Sequence, residues 1–407
     1  MIERHAYFLL ATLLLANTAT VAETAPNNLA IQTVIEAALE RYPELVLPEA
    51  VRQQSDAIRQ QASSFLADDP SLTLRHENDE LTDNFGFRGW EGSVQLPLWL
   101  PGQRKRHLDI AAATEQEAAA LTPFYKWRVS GEVRELLWSI RIAEAQAALA
   151  QTALDSAQAL ETDIDKRVQA GELAVTDQIL ARQETLAREI TLNTTTANLS
   201  ALRKEYEVLT GLSELPASIV EMDAQGTGLS DQHPALVAAD LRINLARSVR
   251  DKSRHEKRTN PVLAIGTRHE RAESGQPYDT IMTLELSLPL GLKGHSAPAI
   301  ADAERQLTEQ QVSYASIQRD IEKQRVLAVS EKQRTAQALR LARQQQQLAA
   351  ERIRLIRRAF ELGESDLFTL LQAQKLALAA ERDLQISQLE QGRAIARYNQ
   401  ALGVIPE

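Results

Sequence analysis

The sequence predicts a mainly α chain made of two tandem structural repeats, each a long helical hairpin preceded by a β-hairpin. Three observations carry this. The 407 residues hold only 16 Gly, 14 Pro and 4% aromatics, too few turn-formers for an all-β fold and few large side chains for ordinary globular cores. Gly102, Gly171 and Gly211 are separated by 69 and 40 residues, and Gly294, Gly363 and Gly403 repeat both spacings at an offset of 192. Finally, period-two segments stand before each long helical stretch, where apolar and polar residues alternate.

The N-terminal run Tyr7–Ala16, followed by small residues to Ala22, fits a signal peptide over 1–22. The first repeat is then assigned to 23–211, a linker or equatorial segment to 212–230, and the second repeat to 231–407. Strands are expected at about 71–78 and 88–98 and again at 261–271 and 279–290. Each period-two segment alternates an apolar with a polar face, most clearly Met282, Leu284, Leu286 and Leu288 against Thr283, Glu285 and Ser287. Trp90 and Trp99 are nine residues apart and are expected near opposite ends of one strand, about 30 Å at full extension. Apolar-out, polar-in strands are the pattern of a membrane barrel, whose smallest examples need about eight strands. Four strands per chain therefore require several chains, the alternative being a soluble β-layer. On the barrel reading Arg75, Glu77, Glu91, Arg268, Glu270 and Glu285 line the lumen, and His76 and His269 point the other way.

Long helices are expected over 102–170, 172–210, 294–362 and 364–402, with tight glycine turns at Gly171 and Gly363. The first carries a heptad seam of Val133, Leu136, Ile140, Ala143, Ala147, Ala150, Leu154, Ala157, Ile164 and Val168, interrupted at Glu161. Its alanines imply close approach of neighbouring backbones. Pro123 should kink or interrupt that helix.

The absence of Cys excludes disulfides, thiolate metal sites, cysteine catalysis and a lipid-modified N-terminal cysteine. A net charge of −10 argues against nucleic-acid binding, which needs a basic stripe. The seven His form no H-E-x-x-H pair, and Gly291-Leu-Lys-Gly294 lacks phosphate-loop spacing. The repeated Arg-His-Glu at 75–77 and 268–270 cannot chelate one ion from one strand face. No enzyme motif, metal site or cofactor site emerges.

The paired strand-to-helix junctions Leu96–Gly102 and Leu288–Gly294, with the paired turns at Gly171–Asp177 and Gly363–Phe368, resemble the TolC-type outer-membrane efflux channels. Within that family the chain looks most like the heavy-metal (CzcC-type) branch. The resemblance implies a homotrimer whose twelve strands close one barrel in outer-membrane lipid and whose helices continue as a periplasmic tunnel. It implies helix tips that meet a periplasmic adaptor (membrane fusion) protein, which links the tunnel to an inner-membrane RND pump. Docking at the tip would fall on Gly171, Leu173, Val175, Gly363, Leu367 and Phe368, with the four apolar side chains expected to be exposed. Tip constriction would fall on Thr176, Asp177, Phe360 and Ser365, and the family's inward acidic ring on Thr369 and Gln372, both uncharged here. The function implied is a passive export conduit, the outer-membrane part of a tripartite efflux system whose cargo is either heavy-metal cations or organic compounds. The competing reading is a pore-less periplasmic or surface coiled-coil scaffold.

Overall fold

A computed structural model describes residues 29–224, 231–291 and 293–406. The signal-peptide assignment and part of the linker lie outside the described residues. In chain order the elements are α1 (Ile31–Glu40), a 3-10 turn (Pro43–Val46), α2 (Leu47–Ser63), β1 (Ser71–Asn78) and β2 (Arg88–Pro97). They continue as α3 (Gln103–Gln169), α4 (Val175–Thr210), α5 (Pro234–His255), β3 (Val262–Arg271), β4 (Asp279–Ser287), α6 (Lys293–Glu361) and α7 (Leu367–Ala401). Each half thus runs helix, β-hairpin, long helix, returning helix.

The two hairpins join into one antiparallel sheet of order β1-β2-β3-β4. Helices pack in the same lateral order. Nearest the sheet the wall reads α2, α3, α5, α6; farther away it reads α4, α3, α7, α6. At 1.5 Å per residue, α3 alone is about 100 Å long.

The heptad seam of α3 is buried from Val133 through Leu136, Ile140, Ala143, Ala147, Ala150, Leu154 and Ala157 to Ile164. Glu161, its polar interruption, accepts from Arg182 at 3.1 Å. The two halves meet where α3 crosses α7, and two helical glycines allow the approach. A Cβ on Gly392 would run into the Trp138 ring, and one on Gly131 would stand 2.7 Å from Gln400 Nε2.

Several expectations change. Pro123 sits inside α3, which runs on unbroken. Pro123 is exposed, as is Ala119, whose carbonyl loses its helical partner to the proline. The returning helices α4 and α7 begin at Val175 and Leu367, three residues later than expected. Gly171 and Gly363 both adopt φ +77, and the chain then needs an extended N-cap residue, Ala174 or Asp366, before helix can resume. Trp99 lies beyond the end of β2, where its Nε1 donates to the Ser64 carbonyl at 3.0 Å. The two tryptophans therefore do not bracket one strand.

The described part of the expected linker, 212–224, is a packed strap rather than a spacer. Leu212, Leu215 and Ile219 join the core built by Val34, Ile35, Val129, Val133, Leu137 and Tyr206. Its end is clamped by Arg134, 3% exposed, which donates from Nε and Nη2 to the two Glu221 carboxylate oxygens at 2.7 Å each. Arg134 also donates to the side chain of Gln400 and to the Val404 carbonyl. Asn399 donates to Glu221 at 3.0 Å and to the Met222 carbonyl at 2.9 Å.

Candidate functional site

Three features of the wall bear on function: the two faces of the sheet, its two lateral edges and the tips of the helical hairpins.

Register sorts the sheet residues into rows. On one face the rows are Ser71-Gln95-Ala264-Glu285, then Thr73-Ser93-Gly266-Thr283, then Arg75-Glu91-Arg268-Ile281, then Glu77-Gly89-Glu270-Asp279. This face is mostly polar, its apolar residues being Ala264 and Ile281 and, in the row nearest the helices, Pro97 and Val262. Its charged rows lie at the end away from the helices. There Arg268 Nε is 2.6 Å from Glu270 and its Nη2 3.6 Å from Glu77, and Arg75 lies 3.8 Å from Glu77 and 3.9 Å from Glu91. The structure thus brings five of the six proposed lumen residues into one network. Glu285 shares the face but stands two rows nearer the helices.

The opposite face carries Leu72, Leu74, Val94, Leu96, Leu263, Ile265, Met282, Leu284 and Leu286. Leu72, Leu74, Met282 and Leu284 are 68–80% exposed, and an apolar patch this continuous marks an interaction surface. His76 lies on this side, stacked on Trp90 with ring centroids 4.0 Å apart, and so does His269, stacked on Tyr278 at 4.5 Å. Each Arg-His-Glu triplet is therefore split between faces. Among the described residues no group of three or more His, Cys, Asp or Glu side chains is placed to hold a metal ion. No described helix is long and apolar enough to cross a membrane.

The lateral edges were not singled out from the sequence. One edge is β1, α2 and α4; the other is β4 and α6. Along the lower half of α6 and one residue past its end, Leu341, Leu348, Leu355 and Leu362 are exposed at strict seven-residue spacing, the seam of a coiled coil without its partner among the described residues. Exposed Ile179, Leu186 and Ile190 form a matching stripe on α4. The heptad leucines were readable in the sequence; their exposure was not.

At the tips the proposed residues separate. Val175 and Phe368 are 61% and 62% exposed, but Leu367 is 3% exposed and Leu173 is half-buried. Leu367 packs with Ile164, Ala181, Phe360 and Leu370 in a small core that joins the two hairpins. The expectation of an exposed Leu367 is therefore corrected: it opens α7 on the side facing α3 and α6. Phe360 is likewise interior, under the Arg167 guanidinium at 5.3 Å. Gly171, Gly363, Thr176 and Gln372 are exposed, and Asp177, Ser365 and Thr369 are half-buried. Asp177 caps α4 by accepting from Ala174 N at 3.3 Å, and Asp366 caps α7 by accepting from Thr369 N at 2.6 Å. Hydrogen bonds from Thr369 hold the Asp366 carboxyl below the usual aspartate range.

No family model matches the chain. The cobalt-zinc-cadmium resistance protein CzcC of Cupriavidus metallidurans is 28% identical over 118 residues, which is 29% of this chain and 28% of the relative's own length. The crystal structure of the outer membrane protein VceC from Vibrio cholerae superposes with a TM-score of 0.72 at 15% identity, covering 93% of this chain and 97% of that one. The Campylobacter jejuni CmeC outer membrane channel gives 0.72 at 15% identity over 92% and 85% of the two chains. The chain shares the fold of these outer-membrane proteins.

Proposed function

We propose that the chain is one subunit of a passive export conduit, the outer-membrane channel of a tripartite efflux system. The observation that carries this reading is the coincidence of its unpartnered surfaces. The sheet has two free edges, and the helical wall has two free apolar stripes on the same two sides. Because the sheet has an even number of strands in antiparallel order, β4 of one copy runs opposite to β1 of the next. An antiparallel ladder can therefore continue from copy to copy until it closes, leaving no edge. Three copies give twelve strands, the number the resemblance implies. Closing the ring with the leucine face outward puts that face in lipid and the Arg/Glu rows in the lumen. The same closure seats α6 of one copy against α4 of its neighbour.

No residue of the chain is assigned a chemical step. Selectivity inside the tunnel is electrostatic. The similarity to CzcC supports heavy-metal cations as cargo, delivered by an inner-membrane RND pump through a periplasmic adaptor. Adaptor docking is placed on Val175 and Phe368, the tip apolar residues that remain open.

The purified oligomer is expected to give steady conductance steps in planar bilayers. Cysteine pairs placed on β1 and β4 of this cysteine-free chain should crosslink it into closed trimers. Absence of current under all conditions from an intact oligomer would instead support the pore-less scaffold. Aspartate at Val175 or Phe368 should abolish adaptor crosslinking and export while the trimer persists; normal export in those variants would remove the docking assignment.

A further inference from the structure

Where the sheet hands over to the helical wall, four chain segments meet at one level. Leu98 N donates to the Pro261 carbonyl at 2.7 Å, and His255 Nε2 lies 2.7 Å from the Pro101 carbonyl. Trp99 is tied to Ser64, and a Cβ on Gly291 would stand 2.8 Å from the Lys257 carbonyl. The collar so formed holds out apolar side chains: Phe65 and Leu290 are both 85% exposed, and Leu288 is 58% exposed. Leu288 and Leu290 continue the apolar face of β4 past its end.

Lys105, Lys257 and Arg258 are exposed at the same level and form no ion pair among the described residues. Their basic neighbours are occupied. Arg104 donates to the Ala62 and Ser63 carbonyls, closing the end of α2, and Arg106 pairs with Asp109 at 3.4 Å. Lys252 pairs with Glu256 at 3.8 Å and Arg254 with Glu304.

Folding does not account for the free cations. The first turn of α3 contains Arg104, Lys105 and Arg106 and no acid, although a helix N-terminus disfavours positive charge. Lys257 and Arg258 follow the α5 C-cap at Glu256, where the helix dipole favours a cation, but Lys252, Arg254 and His255 already fill that role in the last turn of α5. The chain as a whole carries −10, so an unpaired basic level runs against its composition. An apolar band that ends in an exposed aromatic ring and long cationic side chains is suited to a membrane interface. There aliphatic stems lie on the hydrocarbon boundary while the charged heads reach phosphate.

We propose that this collar binds the anionic phospholipid headgroups of the leaflet nearest the helical wall. The inference rests on the barrel reading above and adds the lipid class that the barrel's base selects.

The test uses the full-length oligomer in phosphatidylcholine vesicles with and without phosphatidylglycerol, with retained lipid counted by native mass spectrometry. Wild type should retain phosphatidylglycerol over phosphatidylcholine, by roughly five-fold for each engaged cation, with no competition from inorganic phosphate. The K105Q/K257Q/R258Q variant should lose that preference while keeping its oligomeric state and conductance. Equal retention of the two lipids by wild type, or an unchanged preference in the variant, overturns the proposal. So does a variant whose ion selectivity changes while its lipid preference does not, because the cations would then face the lumen. Lipid preference without current in wild type would sink the conduit reading and leave the collar standing; current without lipid preference would do the reverse.

Discussion

The clamp between Arg134 and Glu221 offers the sharpest test of how the wall is held together. Arg134 makes four hydrogen bonds: two to Glu221, one to Gln400 and one to the Val404 carbonyl. Its side chain is 3% exposed and that of Glu221 is 11% exposed, so neither charge can turn to solvent. Arg134→Met leaves a carboxylate whose remaining hydrogen-bond donor is Asn399, and an uncompensated buried charge costs about 3–5 kcal/mol. Combining Arg134→Met with Glu221→Leu removes both charges. What remains are the underserved amides of Asn399 and Gln400 and the Val404 carbonyl, a cost of about 1–3 kcal/mol. The double variant should therefore be more stable than the Arg134 single variant. Urea unfolding in detergent, followed by circular dichroism, measures all three proteins, and limited proteolysis reports whether the strap at 212–224 has come loose. A single-variant cost below about 1 kcal/mol, or a double variant as unstable as the Arg134 single variant, would refute the reasoning.

Gly392→Val should destabilise by about 1–3 kcal/mol through collision with the buried Trp138 ring; thermal melts should show part of that loss recovered in a Trp138→Phe background. His233 is buried beside Trp127, and burial lowers its pKa to about 4 while its Nδ1 accepts from Ala235 N at 3.2 Å to cap α5. The unfolded chain then binds the extra proton between about pH 6.5 and 4, so stability should fall as pH drops through that window, by about 3 kcal/mol in all. His233→Asn, which keeps a cap acceptor, should flatten that part of the pH–stability profile. At the tip, the lowered Asp366 pKa means the α7 cap is intact above the ordinary aspartate range and lost as pH falls below it. The protection factor of the Thr369 amide, corrected for intrinsic exchange, should fall on acidification, and Asp366→Asn should remove that pH dependence.

What the sequence made legible follows from local physics. The alanine seam of α3 was visible because a 3.5-residue period needs no knowledge of the partner, and every seam residue from Val133 to Ile164 is buried. The strand faces were visible for the same reason at period two. The positive-φ turns at Gly171 and Gly363 followed from what glycine alone tolerates. What was missed depends on neighbours. Neither α1, α2 nor α5 was anticipated, because each is short and takes its partners from distant segments. The glycines at 131 and 392 look like ordinary helix interiors until Gln400 and Trp138 are placed opposite them. Leu367 and Phe368 are adjacent apolar residues that only the packing of three helices separates into inside and outside. The interruption expected at Pro123 does not occur: a proline breaks a helix when its steric and hydrogen-bond costs go uncompensated, and here both Pro123 and Ala119, whose carbonyl it frees, are exposed residues.

The order of strands in the sheet sets a timetable for folding. β1 and β2 are neighbours in the chain, but β2 must pair with β3, and the stretch from Pro97 to Val262 passes through both α3 and α4 and then α5. The first hairpin therefore finishes long before its second partner exists, and contacts of such sequence separation form slowly. In the interval Leu72, Leu74 and Val94 are exposed on both the face and an open edge, the combination most prone to wrong pairing. The helices of such a chain can zip up locally, but its sheet stays open to wrong pairing until the last strand arrives.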